Sequence, residues 1–226
     1  MKNLFCLSLI IILTLFITPL NAQVQLGLQA GANLGDVSLD PTPEGVTTGM
    51  RAGLMFGGVF FYSFSPIIGL QVEPAYVQKG ATIDITQTEN GMTVKLEGTL
   101  TGDYIDIPVL LKASFGEGPV KPYLLAGASI AFSLGDAIIE LDNATIDGQS
   151  IPIDQSEDTV KVKSTDIILN FGGGVIIPAG QVNIFVEAQY NLGLSNVNDE
   201  PTSPGEEDMT IKTTGIQIKA GVLFPL

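Results

Sequence analysis

Gly215-Ile216-Gln217-Ile218-Lys219-Ala220-Gly221-Val222-Leu223-Phe224-Pro225-Leu226 is the stretch that decides the fold. Ile216, Ile218, Ala220, Val222, Phe224 and Leu226 share one phase, and Gly215, Gln217, Lys219 and Gly221 the other. A period of two sends successive side chains to opposite faces of a strand. The pattern recurs upstream. Val182, Ile184, Val186, Ala188, Tyr190 and Leu192 alternate with Asn183, Glu187, Gln189 and Asn191. Val24, Leu26, Leu28, Ala30, Ala32 and Leu34 alternate with Gln25, Gly27, Gln29, Gly31 and Asn33.

Residues 1–22 read as a cleaved secretory leader. Lys2 is a short basic n-region, Leu4 to Leu20 an apolar h-region, and Asn21-Ala22 the cleavage site before Gln23. The apolar run is short for the roughly 20 residues that a spanning helix needs. Residues 23–226 are then one domain. The single cysteine, Cys6, falls in the leader, which leaves no disulfide, thiol nucleophile or thiolate metal site in the rest.

The chain is 45% hydrophobic, yet no later apolar run reaches the length of a transmembrane helix. A membrane protein built that way must close its backbone hydrogen bonds in a barrel. The formal net charge of −14 excludes nucleic acid as a natural partner.

Eight alternating segments are expected near 23–35, 49–63, 67–84, 98–115, 120–135, 164–177, 181–196 and 209–226. Three connections are tight and carry Gly or Pro: Phe64-Ser65-Pro66, Gly116-Glu117-Gly118-Pro119 and Pro178-Ala179-Gly180. Four are long, near 36–48, 85–97, 136–163 and 197–208, and the two kinds alternate. Short periplasmic turns and long external loops are the asymmetry of outer-membrane barrels. Asn90-Gly91 offers another reading of the second long connection, a hairpin reaching past the membrane. The isoleucines of 136–163 offer the same for the fifth and sixth strands.

Alternation alone leaves the wet face open. The polar phase is rich in small residues, such as Gly127, Ser129, Ala131 and Ser133, or Asn170, Gly172 and Gly174. Small residues suit the interior of a narrow barrel. Ile167, Leu169, Phe171, Val175 and Ile177 suit lipid. The expected fold is an all-β, eight-stranded antiparallel up-and-down transmembrane barrel. A soluble lipid-binding barrel in the periplasm is the alternative.

Several stretches carry a resemblance. They are Gly31-Ala32-Asn33-Leu34, then Leu70 to Tyr76 with Lys79-Gly80, then Tyr104-Ile105-Asp106-Ile107-Pro108 through Lys112. Pro122 to Gly127 and Gly193-Leu194-Ser195-Asn196 extend it. Through them the chain resembles the Gram-negative outer-membrane β-barrel "porin family" of the Bacteroidota type, PorT-like. The resemblance covers nearly the whole domain. It implies fold and location but no reaction. The family commonly ends on an aromatic residue; here Leu226 is last, with Phe224 two before it.

The inward phase also holds Arg51, Glu73, Asp106, Lys112, Glu187 and Lys219. Charges in a narrow lumen persist only when paired or hydrogen-bonded. The expected role of this cluster is structural, a lock of ion pairs; the alternative is a gated polar path or proton relay. Barrel enzymes of this size use histidine for acid–base work, and this chain has none. Neither an enzyme nor a cofactor is expected.

Half of the 24 acidic residues sit in 136–163 and 197–208. The plain reading is a solvated surface; the sharper one is binding of divalent cations by clustered oxygens, though no EF-hand spacing is present. Asn143-Ala144-Thr145 matches a glycosylation sequon, a short motif common by chance. Gly172-Gly173-Gly174 lacks a following helix and suits close packing or a bend.

The expectation is a small outer-membrane barrel with a filled lumen and a structural or surface-interaction role. The expected partners are outer-membrane lipid and lipopolysaccharide, the outer-membrane assembly machinery, and an extracellular ligand at the acidic loops. Passive transport of small solutes is the alternative function; eight strands argue against it, because side chains fill so narrow a barrel.

Overall fold

A computed structural model describes residues 24–116, 118–153, 157–199 and 209–226. The leader with Cys6 lies outside the described residues, as do Asp154 and the acidic Glu200, Glu206, Glu207 and Asp208. The strands are β1 (Val24–Asp40), β2 (Val46–Ser63), β3 (Ile68–Val72), β4 (Ala75–Glu89), β5 (Met92–Ser114) and β6 (Lys121–Ser133). They continue with β7 (Ala137–Ile146), β8 (Gln149–Ser150), β9 (Glu157–Val160), β10 (Thr165–Ala179), β11 (Val182–Gly193) and β12 (Thr210–Pro225).

Neighbouring strands pair antiparallel all the way round. β1 meets β2, β2 meets β3 and β4, and both of these meet β5. The path continues through β6, β10, β11 and β12. It closes where β12 pairs with β1, from Gln25↔Pro225 to Asp40↔Thr210. β3 and β4 form one barrel strand interrupted at Glu73-Pro74, a break that the expected continuous strand 67–84 did not contain. Pro74 has no N–H to give the ladder. Its carbonyl still accepts from Gly58 at 2.9 Å, and Glu73 N–H donates to Pro108 at 3.1 Å. The result is a ring of eight strands with no open edge, which satisfies backbone groups in lipid.

Leu28, Leu54, Phe56, Leu124, Ile130, Phe171 and Ile218 stand on the outer face, each about half to two-thirds exposed. Gln29, Gln71, Glu73, Ser129, Asn170, Gln189 and Lys219 are buried inside. The interior is not uniformly polar, however. Val59, Phe185 and Leu223 pack together at the end near the short turns, and Leu110, Tyr123 and Leu125 form a second cluster. Ile176 joins both. These residues form an apolar floor.

At the opposite end the strands overrun the membrane. β5 has 23 residues, about twice the roughly 9–11 that a spanning strand requires. The stretch 85–97 is therefore a hairpin and not a loop: β4 and β5 pair up to Glu89↔Met92. Asn90 and Gly91 turn with φ of 51° and 81°, the positive pair of a type I′ turn. Likewise 36–48 contracts to residues 41–45 between β1 and β2. Much of 136–163 is sheet, with β7 pairing β5 from Val94↔Ile146 to Thr101↔Ile138, and β9 pairing β7.

Along this overrun the two faces exchange polarity. Within the barrel β5 turns Ile107, Val109 and Leu111 outward and buries Asp106 and Lys112. Above Gly102 the outward phase becomes Thr101, Thr99, Glu97 and Lys95, and the inward phase Leu100, Leu96 and Val94. β4 and β7 follow in register, with Ile83 and Ile85 beside Gly98 and Leu96, and Ile139 beside Leu100. Tyr76 marks the crossover: its hydroxyl donates to Asp103 Oδ1 at 2.7 Å and its ring lies 5.1 Å from that of Phe56. A ring with one apolar and one wet end fits a membrane–water boundary.

Candidate functional site

Two groups of charges occupy the interior, one above the other. The lower group sits on the apolar floor. Lys219 of β12 reaches Glu73, and its Nζ is 3.0 Å from Glu187 Oε1. Gln71 donates to Glu73 and, at 3.3 Å, to Glu187 Oε2, and accepts from Lys112 Nζ at 2.8 Å. Tyr123 donates to Glu187 Oε2 at 2.8 Å, and Gln189 donates to both carboxylates. The Lys112 ammonium lies 3.7 Å from the centre of the Tyr123 ring and 5.0 Å from that of Phe61. Two lysines and two glutamates balance, and each is bound by neighbours. A buried charge needs this, since desolvation outweighs attraction unless the remaining lone pairs and protons are met.

The strand order explains the meeting. Glu187 and Lys219 are ladder partners on β11 and β12. Glu73 comes from the kink between β3 and β4, where Pro74 breaks the ladder. Gln71 and Glu73 share a phase, two residues apart, so both point in.

The upper group centres on Lys79. Its Nζ is 3.8 Å from Asp166 Oδ2 and 4.7 Å from the centre of the Tyr104 ring. Thr213 donates to the same Asp166 oxygen. Asp106 lies within electrostatic reach of Lys79. Asn191 donates through Nδ2 to Asn170. Lys79, Asp106, Tyr104 and Asn191 form the base of a cavity walled by Val37, Leu100, Ile168 and Ile211. The cavity leaves about 60 Å³ to the centres of water-sized spheres. The overrun carries a separate groove lined by Ile83, Ile85, Leu96 and Leu141, with Glu140 and Asp158 beside them. The interior is thus a cup above a bolted floor.

Of the six charges read from the sequence, Glu73, Lys112, Glu187 and Lys219 meet in the lower group. Asp106 belongs to the upper one. Arg51 stands apart, half-buried on β2, and makes none of the close ion pairs among the described residues. Its Cδ lies about where it would touch a side chain placed at Gly80. Lys79 and Asp166 were not anticipated. Both carried a signal: Lys79 continues the phase of Gln71 and Glu73, and Asp166 continues that of Asn170, Gly172 and Gly174.

The outer face of the overrun is polar and paired. Lys95 bonds Glu97 and lies 3.8 Å from Asp84; Asn143 donates to Glu97 at 3.2 Å. The sequon asparagine thus has a partner in the sheet. Lys95 beside Glu97, helped by Asn143, holds that carboxyl below its ordinary value. Among the described residues no three acidic side chains gather as a metal site.

Comparisons with known proteins give the fold a family. Among solved structures the chain is similar to Neisserial surface protein A, with 17% identity over 88% of this chain and 96% of that one, and a TM-score of 0.40. It is similar to Ail, the attachment invasion locus protein of Yersinia pestis, solved in complex with the heparin analogue sucrose octasulfate; identity is 15% over 89% and 99%, and the TM-score 0.41. The N-terminal β-barrel domain of Pseudomonas aeruginosa OprF gives 13% over 91% and 100%, with a TM-score of 0.34. No curated protein matches the chain. A family model for the outer membrane protein beta-barrel domain matches residues 20–199. The chain belongs to the outer membrane protein β-barrel domain family.

Proposed function

We propose that this protein is a closed barrel with a surface-interaction role, holding an extracellular sheet above the membrane and passing no solute. Family membership implies the outer membrane of a Gram-negative bacterium. The observation that carries the reading is the lower group of charges. Lys219, Glu73, Glu187, Gln71 and Gln189 bond to one another across the lumen, above the packed side chains of Val59, Phe185 and Leu223. Eight strands enclose a space that such side chains fill. No catalysis is assigned, because the chain has no histidine and Glu73 and Glu187 are tied to Lys219 and to glutamine.

The interaction surface is the overrun of β4, β5 and β7, with its polar outer face and apolar inner face. Loops and extensions on a rigid scaffold are where binding resides. Lipid and lipopolysaccharide surround the barrel, and assembly machinery inserts it.

Liposome swelling separates this reading from transport. Vesicles loaded with a large impermeant solute and carrying the protein should stay shrunken in isotonic small sugars. Swelling at a rate that rises with protein content would favour the porin alternative. Recovery of the protein in the soluble fraction of osmotically shocked cells would favour the periplasmic alternative.

A further inference from the structure

We infer that the cup binds a small uncharged amphiphile, with its apolar body against the walls and an amide or hydroxyl head at the base. This rests on the closed-barrel reading, which makes the cup a dead end. Three features point to such a ligand. The walls are mainly apolar: Val37, Leu100, Ile168 and Ile211 line the cavity, with Asn33, Asp36, Thr213 and Gln217 among them. The base carries unused polar atoms. Asp106 Oδ1 and Asn191 Oδ1 accept no hydrogen bond from the protein, and Lys79 Nζ donates none. Asp106 and Asn191 are 1% and 7% exposed, and both line the cavity. Leaving buried acceptors without donors is costly.

Water is the competing occupant. The space would take on the order of four waters, each needing two to four polar partners. The base offers three groups without a hydrogen bond, and Val37, Leu100, Ile168 and Ile211 offer no side-chain partner. A head that meets the base while its body covers the walls satisfies both surfaces.

The charges decide against an ion. Lys79 stands beside both Asp106 and Asp166, so the base presents charges of both signs to whatever enters. The unused atoms include one cationic donor and two acceptors. A carboxylate meets Lys79 but faces Asp106; an ammonium does the reverse. An amide presents a donor and an acceptor at once.

The test uses the full barrel in lipid nanodiscs with labelled methyl groups. Hexanamide, hexanoate and hexylammonium are titrated while Leu100 and Ile168 are observed. Saturable shifts with hexanamide are expected, with each ion at least roughly tenfold weaker, the effect of one mispaired charged contact. Val160→Trp, at the cavity wall, should abolish the shifts. Asp106→Asn removes the carboxylate that faces a bound anion and should raise hexanoate to rival or exceed hexanamide. Heat-modifiable migration shows that each variant is folded. Non-saturable shifts with all three probes mean water only and overturn the inference, as does an ion that binds the parent protein as tightly as the amide. Undiminished shifts in Val160→Trp, or an unchanged order of probes in Asp106→Asn, overturn it too. Conductance through the barrel would instead remove the closed-barrel reading, so the two failures are told apart.

Discussion

Glu187 and Lys219 stand opposite each other in the β11–β12 ladder, with Nζ 3.0 Å from Oε1, and the same ammonium also holds Glu73. One cation therefore ties the barrel wall to the kink at Glu73-Pro74 on its far side. The two carboxylates share it: either can be lost while the other pair survives, but loss of Lys219 takes the ion pair from both.

Lys219→Met should accordingly cost about 3–5 kcal/mol, the scale for an uncompensated buried charge. Glu187→Leu should cost less, since Lys219 keeps Glu73. Adding Glu73→Gln to Lys219→Met leaves Lys112 balanced by Glu187 and should recover most of the loss. Urea titration of heat-modifiable migration measures all of these. No loss in either single variant would show that the ion pairs do not bear on stability.

Gly174 lies where a Cβ would come within 2.3 Å of the Val186 carbonyl and 2.6 Å of the Tyr123 hydroxyl. That hydroxyl donates to Glu187. Gly174→Ala should therefore displace Tyr123 and weaken the lock, lowering the urea midpoint. Tyr123→Phe should reproduce part of the effect without the clash. A Gly174→Ala barrel as stable as its parent would show slack that the geometry denies.

Glu97 lies on the outer face of the overrun, in water, with Lys95 and Asn143 holding its charged form. Its folded pKa is depressed, so its contribution to stability is present above the unfolded value and fades as pH falls through the folded one. Side-chain NMR titration should place its midpoint below that of an ordinary glutamate. Lys95→Met should return it most of the way, and about 1 M salt should shrink the difference, as screening requires. A midpoint indifferent to Lys95 would mean that the pair does not persist in solution.

The topology has its own check. Cysteine replacing Gln149, beside the β7–β8 turn, should react with an impermeant maleimide in intact cells. Cysteine replacing Ser65, in the short turn between β2 and β3, should react only after the outer membrane is opened. The reverse pattern would invert the barrel.

The sequence made the ring legible because alternation is local: Ile216 to Phe224 declare two faces without help from any other strand. It could not reveal where along a strand the wet face changes sides. Thr99 and Leu100 alternate as cleanly as Ile105 and Asp106, and only the height of the membrane boundary gives them opposite meanings. Nor did it show the apolar floor, because Phe185 and Leu223 sit in the inward phase among Gln and Lys and read as noise. The charges were found by phase, but their partition into two groups depends on register. Lys79 and Asp166 meet across the barrel, and nothing near either in the chain announces the other.

The most direct test is planar-bilayer recording of the purified barrel. The expected result is a flat trace, with no reproducible unitary step at moderate voltage, because the Lys219 group and the floor beneath it fill the lumen. Regular, ion-selective steps of constant size from the folded, heat-modifiable form would contradict the sealed lumen and the surface role drawn from it.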